Sequence, residues 1–373
     1  MMYLGVFHLK QLRLLAILLA CSLLLGAFTP TTMLASNIEQ TKSAPKSTQL
    51  TIHYFYKKPF VSLEELRLEL PLTYRYSASE GTLSIKHAGN TYELLRGTTV
   101  IARNGIHLPL NAKPYVETKK QTTAIYLPLP VIEKAFALPV TARTQQSLFV
   151  RTDVTLGEPL AVFKHSVYKK LTALDLKRST PKQIALYLSF MDRPIAGATL
   201  STRDNHLPGA PRTYRNGTHE GLDWYSSYSG IRIDRKTEVR SVAEGVVVRI
   251  DSDYLELMHR EREALLSISA KSKQTPVYIL DKLRGRSVWV QYEKGVLVRY
   301  AHLHTVNKKL AIGTIVKRGQ QIGFVGNSGT SSGVAGNNDD LHLHMDVLIQ
   351  NELFWKHLKR PQIREVLAKV FGS

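Results

Sequence analysis

The chain has 373 residues, 43% of them hydrophobic, and a formal net charge of +20. That length suits about two domains with extensions, and the apolar content excludes a wholly disordered protein. A single cysteine excludes a disulfide framework, and the basic balance favours anionic surroundings such as nucleic acid, acidic lipid or cell-wall polymers.

Lys10 and Arg13 precede an uncharged apolar run from Leu14 to Phe28, and the first acidic residue is Glu39. A positive flank before an apolar stretch is the layout of an export signal. The run is short for a transmembrane helix, which needs about 20 apolar residues. Residues 1–36 are therefore read as a signal peptide or membrane anchor, with a buried helix of a soluble domain as the plainer alternative. Met33 makes a mediocre cleavage site, so an uncleaved anchor is a serious rival. Cys21 ends "LLAC", a hint of lipidation, but the apolar run continues past it to Phe28. Lys10 and Arg13 carry only two of the positive charges, so the remainder is basic too. An exported basic protein meets a wall or a membrane surface, and the reading is against nucleic acid.

Residues 37–49 are polar and read as a linker. From Leu50 to Thr152 come short runs rich in β-branched and aromatic residues, "QLTIHYFY", "GTLSIKH", "NTYELLR", "TTVIAR", "TAIYLPL" and "QSLFVRT", with Gly and Asn between them. One helix is expected at Leu129–Leu138. The region is loosely similar to the small β-rich stalk domain named for copper amine oxidase N-termini, which implies an accessory or binding module. Residues 153–200 read as a helical connector, with helices around Val167–Leu176 and Pro181–Met191. Thr180 before Pro181 suits an N-cap followed by proline at the first helical position.

Beyond about Ala196 the signals change. "TEVRSVAEGVVVRID" gives strands broken at Gly245. "SVWVQYEKGVLVRYAHL" reads as a hairpin turning at Glu293–Gly295, and "QIGFVGNSG" and "LHLHMDVLI" as further strands. The charged, helix-like stretch Tyr254–Arg286 is an insertion between two strands.

Chemistry-bearing residues concentrate in this last region. His219 and Asp223 lie four apart in "GTHEGLDW", where Gly217 and Gly221 favour a loop leading into a strand. Imidazole nitrogen and carboxylate oxygen are both zinc ligands, although a pair at this spacing is more often structural. In "LHLHMDV", His342 and His344 share one face of a strand, with Leu341, Leu343 and Met345 on the other. Two adjacent imidazoles on one face suit a site where one binds metal and the other handles a proton. "YAHLHTV" repeats the pattern at His302 and His304. Those two share a face only if the strand continues, and His304 reads as a surface residue at its end.

Taken in order, His219 with Asp223, then "YAHL", then "GNSGTSSG…LHLH" resemble the lysostaphin-like (LytM-type) zinc metallopeptidases over roughly Arg212–Val347. "GTIVKRGQQIGFVGNSG" matches that family's glycine-spaced run through Gly313, Val316, Gly319, Ile322, Gly323, Gly326 and Gly329. Ala243, Gly245 and Val246 match its small-residue turn in general character.

The resemblance implies a mainly β fold, α+β overall. A C-terminal antiparallel β-sheet peptidase domain of the duplicated hybrid motif type, 201–373, would carry the helical insertion. A small β-rich domain, 50–152, would precede it. It implies His219, Asp223 and His344 as Zn2+ ligands, His342 as catalytic base, and His302 opposite it, orienting water or stabilising an oxyanion. The implied activity is zinc-dependent endopeptidase cleavage of peptidoglycan by an exported envelope or secreted enzyme, with wall polymer as partner and the membrane reached through the N-terminal segment. The alternative is a non-catalytic relative that regulates or scaffolds other wall enzymes. Asp346, on the face of His342 and His344, could hydrogen-bond a ring nitrogen, though a solvated or structural carboxylate is the commoner outcome. The long insertion and the extra residues Val334–Asp340 depart from the family pattern and bear on substrate preference. His53, His87, His107, His165, His206, His259 and His357 lack a partner pattern and read as structural.

Overall fold

The computed structural model describes residues 47–110, 112–119, 122–152, 166–168 and 173–372. The expected signal or anchor segment lies outside the described residues. Among the described residues no helix is long and apolar enough to cross a membrane.

The N-terminal β-rich region starts earlier than the linker reading allows. Ser47–Thr51 is already a strand, paired antiparallel with Ser147–Arg151. Its burial alternates, as a period-two strand with one wet face should. Next comes a four-stranded sheet of His53–Phe55, Lys58–Ser62, Thr122–Pro128 and Tyr115–Lys119. A five-stranded antiparallel meander follows, running from Leu72–Ser77 to Ile106–Pro109. Leu50, Val61, Leu66, Ile85, Ile101 and Leu148 share the core between these sheets.

Of the helix expected at Leu129–Leu138, residues 129–135 are helical, widening over Val131–Ala135, and Pro139 stands beyond the end. The middle of the helix expected around Val167–Leu176 falls on residues 169–172, outside the described residues; among the described ones a short turn stands at Ser166–Tyr168. At the far end of that stretch the Asp175 side chain captures the Lys177 N–H at 3.0 Å and its carbonyl accepts from Ser179 Oγ. Such local bonds compete with a helix. The helix at Pro181 does form, over Pro181–Leu188. Thr180 Oγ1 accepts from the Gln183 N–H, and Gln183 Oε1 accepts from the Thr180 N–H, a reciprocal cap.

The site rests on a second, larger sheet. Its antiparallel order is Leu222–Tyr225, His342–Ile349, Val296–Ala301, Val288–Gln291, Gly245–Ile250 and Ile315–Val316. Strand His342–Ile349 is buried along its whole length. Leu343, Met345, Val347 and Ile349 enter the main apolar cluster, where Trp224, Val298 and the C-terminal helix Arg360–Phe371 also pack. His342, His344, Asp346 and Leu348 occupy the opposite face. Leu348 joins Val248, Trp289 and Leu297 there. One strand thus runs from a polar end to an apolar end on a single face. The N-terminal meander reaches the apolar end, where the His107 N–H donates to Gln291 Oε1 at 3.0 Å and its ring meets Trp289 edge-on. The insertion forms two helices, His259–Lys271 and Val277–Leu283, between strands Gly245–Ile250 and Val288–Gln291.

Candidate metal centre

Strand register brings the ligand candidates together. Asp223 lies directly across from His344, and Tyr225 across from His342. Gly221 lets the incoming loop reach this register, because a Cβ there would stand 2.3 Å from the Met345 carbonyl oxygen. His219, in the loop before the strand, is pinned by its own N–H donating to the Ala210 carbonyl at 2.7 Å.

Three atoms converge. His219 Nε2 is 3.1 Å from Asp223 Oδ1 and 3.1 Å from His344 Nδ1, and His344 Nδ1 is 2.9 Å from Asp223 Oδ1. All three residues are buried. Zinc bonds of about 2.0–2.1 Å in a tetrahedron put neighbouring ligand atoms roughly 3.3 Å apart, so this triangle is one face of such a polyhedron to within a few tenths of an ångström.

The surrounding bonds fix which nitrogens face inward. A carbonyl only accepts, so His219 Nδ1 carries the proton it gives to the Leu207 carbonyl at 3.0 Å, and Nε2 keeps its lone pair. His344 Nε2 donates to Asp346 Oδ1 at 2.7 Å, which turns Nδ1 toward the triangle. Histidine ligands of metals are typically held this way by a second partner. Burial disfavours charge on His344, yet the Asp346 and Asp223 carboxylates hold its pKa up at about 9. Burial would raise Asp223, but His219, His342 and His344 hold it well below the usual carboxylate range. A carboxylate held ionised beside two imidazole nitrogens is a donor set that a divalent metal takes up by displacing protons. The donor set fits zinc.

Asp346 is fully buried, not solvated. Its Oδ2 accepts from Arg284 Nε at 2.9 Å, with Arg299 Nε at 3.6 Å, and it too lies well below the carboxylate range despite burial. Arg284 caps the second insertion helix, and its carbonyl accepts from the His302 N–H at 2.9 Å. The insertion is thus wired to the metal centre, which the sequence spacing does not disclose.

The two remaining histidines stand beside the triangle. His342 Nδ1 donates to the Asp340 carbonyl at 2.6 Å, and the ring stacks on Tyr225 with centroids 4.3 Å apart. His302 Nδ1 donates to the Ser328 carbonyl at 2.7 Å, and its ring centroid is 4.8 Å from that of His342. Each keeps an unprotonated Nε2. Burial lowers the pKa of both, aided at His302 by His342 and His344 and partly offset at His342 by Asp223, so both are neutral near pH 7. The earlier His-x-His pair does not share a face. The strand ends at Ala301, and His302 takes a left-handed φ of 59°, a costly conformation for a residue with a Cβ. Gly326 admits this turn, since a Cβ there would meet the His304 N at 2.3 Å. His304 does not line the groove, whereas His219, Asp223, His302, His342 and His344 all do. The groove has a volume of about 740 Å³.

Residues 218–354 match the model of peptidase family M23. No curated protein matches the chain. Solved structures similar to it include the catalytic domain of the M23 protein EnpA from Enterococcus faecalis, at 14% identity and a TM-score of 0.27, covering 44% of this chain and 92% of that one. Another is the catalytic domain of lysostaphin from Staphylococcus simulans, at 18% and 0.24, covering 44% and 86%. A third is a putative peptidase M23 from Pseudomonas aeruginosa, at 14% and 0.27, covering 89% and 96%. The family match spans every residue of the converging cluster, so the segment that carries the site, 218–354, is the one similar to peptidase family M23.

Proposed function

We propose that the protein is a zinc-dependent endopeptidase that hydrolyses peptide bonds of peptidoglycan at the cell envelope. The observation that carries this reading is the convergence of His219 Nε2, Asp223 Oδ1 and His344 Nδ1 within 3.1 Å of one another, flanked by two neutral histidines. His219, Asp223 and His344 would hold the metal. Zinc bound there supplies a Lewis acid and lowers the pKa of a coordinated water to roughly 7.

The chain's own groups complete the chemistry. His342 presents Nε2 as the proton acceptor, held in that tautomer by the Asp340 carbonyl. Its depressed pKa keeps it unprotonated and ready to take a proton, which it can return to the leaving amine. His302, fixed by the Ser328 carbonyl, offers a second neutral acceptor that orients water from the other side. Tyr225 holds the His342 ring in place by stacking. Asp346 fixes His344.

The basic chain and its N-terminal signal or anchor segment suit residence on an anionic wall, with the β-rich region 50–152 as an accessory module. Incubation with purified peptidoglycan should release new amino groups, and both a chelator and His344→Ala should stop the release. Undiminished release by His344→Ala would overturn the assignment.

A further inference from the structure

Four arginines line the groove: Arg212, Arg215, Arg262 and Arg284. Three of them have partners. Arg212 Nη2 donates to the Asn205 carbonyl at 2.9 Å and lies 3.7 Å from Asp223 Oδ2. Arg215 bonds Glu220 at 2.8 Å, and Arg284 bonds Asp346 at 2.9 Å. Arg262 differs. It projects from the first insertion helix, His259–Lys271, and its side chain is only 13% exposed. Its Nε is buried without a hydrogen-bond partner. Among the described residues the only carboxylate within 4 Å is that of Glu263, whose Oε1 lies 3.7 Å from Nη1, beyond hydrogen-bond reach. The Glu263 side chain is 55% exposed.

A guanidinium stays charged at any physiological pH, and a cation withdrawn from water without a paired anion is unfavourable. Its planar fork matches a carboxylate in two parallel hydrogen bonds. The helix that carries it is tied to the groove's facing wall, where Ser269 Oγ donates to the Arg215 carbonyl.

We infer that Arg262 is a specificity-determining residue that binds a free carboxylate of the substrate peptide where the peptide lies along the insertion helix. This rests on the endopeptidase reading. It assigns the preferred substrate class as acidic wall peptides, over chains of uncharged residues or chains whose side carboxylates are amidated.

The test uses the zinc-loaded full chain on purified peptidoglycan, unmodified or with its free carboxylates converted to amides by carbodiimide and ammonia. Initial rates of amino-group release are compared. The wild type should cut the unmodified wall about tenfold faster, the scale of one charge-assisted bidentate contact. In Arg262→Met that preference should fall to about one. In Arg262→Lys, which keeps the charge but not the fork, it should lie between. A wild type that cuts both walls equally, or an Arg262→Met that keeps the wild-type preference, overturns the inference and leaves the endopeptidase reading standing. A wild type that cuts neither wall overturns both.

Discussion

Asp346 Oδ1 lies 2.7 Å from His344 Nε2, and through that ring it aims Nδ1 at Asp223 Oδ1, 2.9 Å away. One carboxylate thus sets both the tautomer and the orientation of His344, a candidate metal ligand, while Arg284 and Arg299 neutralise it. Replacing a partner of this kind costs about 10- to 100-fold in metal affinity. Asp346→Asn should weaken zinc binding by that factor in a competitive chelator titration. Wild-type affinity in the variant would mean that His344 is oriented by packing alone.

His342 stands beside the ligand triangle and outside it, with Nε2 3.9 Å from Asp223 Oδ1. His342→Ala should therefore keep its zinc and lose about 10²- to 10⁴-fold in rate, the range for a positioned general base. Measuring zinc content and wall hydrolysis on one preparation separates the roles. Loss of zinc would make His342 a ligand, and an unchanged rate would remove it from catalysis.

Gly221 passes so close to strand His342–Ile349 that any side chain collides with the Met345 carbonyl. Gly221→Ala must push strand Leu222–Tyr225 away and carry Asp223 with it. A loss of about 1–3 kcal/mol in urea unfolding is expected, together with weaker zinc binding. A variant as stable as the wild type would show that the loop can relax without moving the ligand.

His107 offers a pH test remote from the candidate metal centre. Burial, with repulsion from Arg299, pushes it down to about 3 from an ordinary value near 6.5. Below pH 6.5 the unfolded chain takes up a proton that the folded chain refuses. The stabilising contribution is therefore intact above about 6.5 and is lost as pH falls toward 3. Between pH 6.5 and 5 the loss is about 2 kcal/mol. Comparing urea midpoints of the wild type and His107→Gln at pH 7.5 and pH 5 should show a smaller acid loss in the variant. Equal losses would mean that His107 is protonated in the folded protein.

Much of the site is legible in the sequence because strand periodicity is a local rule. The i, i+2 spacing of His342 and His344 puts both on one face, and the same rule carries Asp346 there. What that rule cannot supply is register. Nothing near Asp223 in the chain says that it pairs with His344 and not two residues along. Arg284 and Arg262 are hidden for a related reason, since a charged helical insertion gives no sign of which cations turn toward a groove built from other parts of the chain. At the end of the helix expected over Val167–Leu176, Asp175 and Ser179 satisfy the backbone locally. The helix Arg360–Phe371 is absent from the sequence reading, although Ile363, Val366, Leu367 and Phe371 carry its apolar stripe.

On the proposed function, His219, Asp223 and His344 hold one zinc ion that makes the groove hydrolytic. The most direct measurement is zinc per chain by elemental mass spectrometry on the wild type beside His219→Ala, with turbidity clearance of purified peptidoglycan run on both. About one zinc per chain with clearance in the wild type, and the loss of both in the variant, is the predicted result. Full zinc content in His219→Ala, or a wild type that binds none, would contradict it.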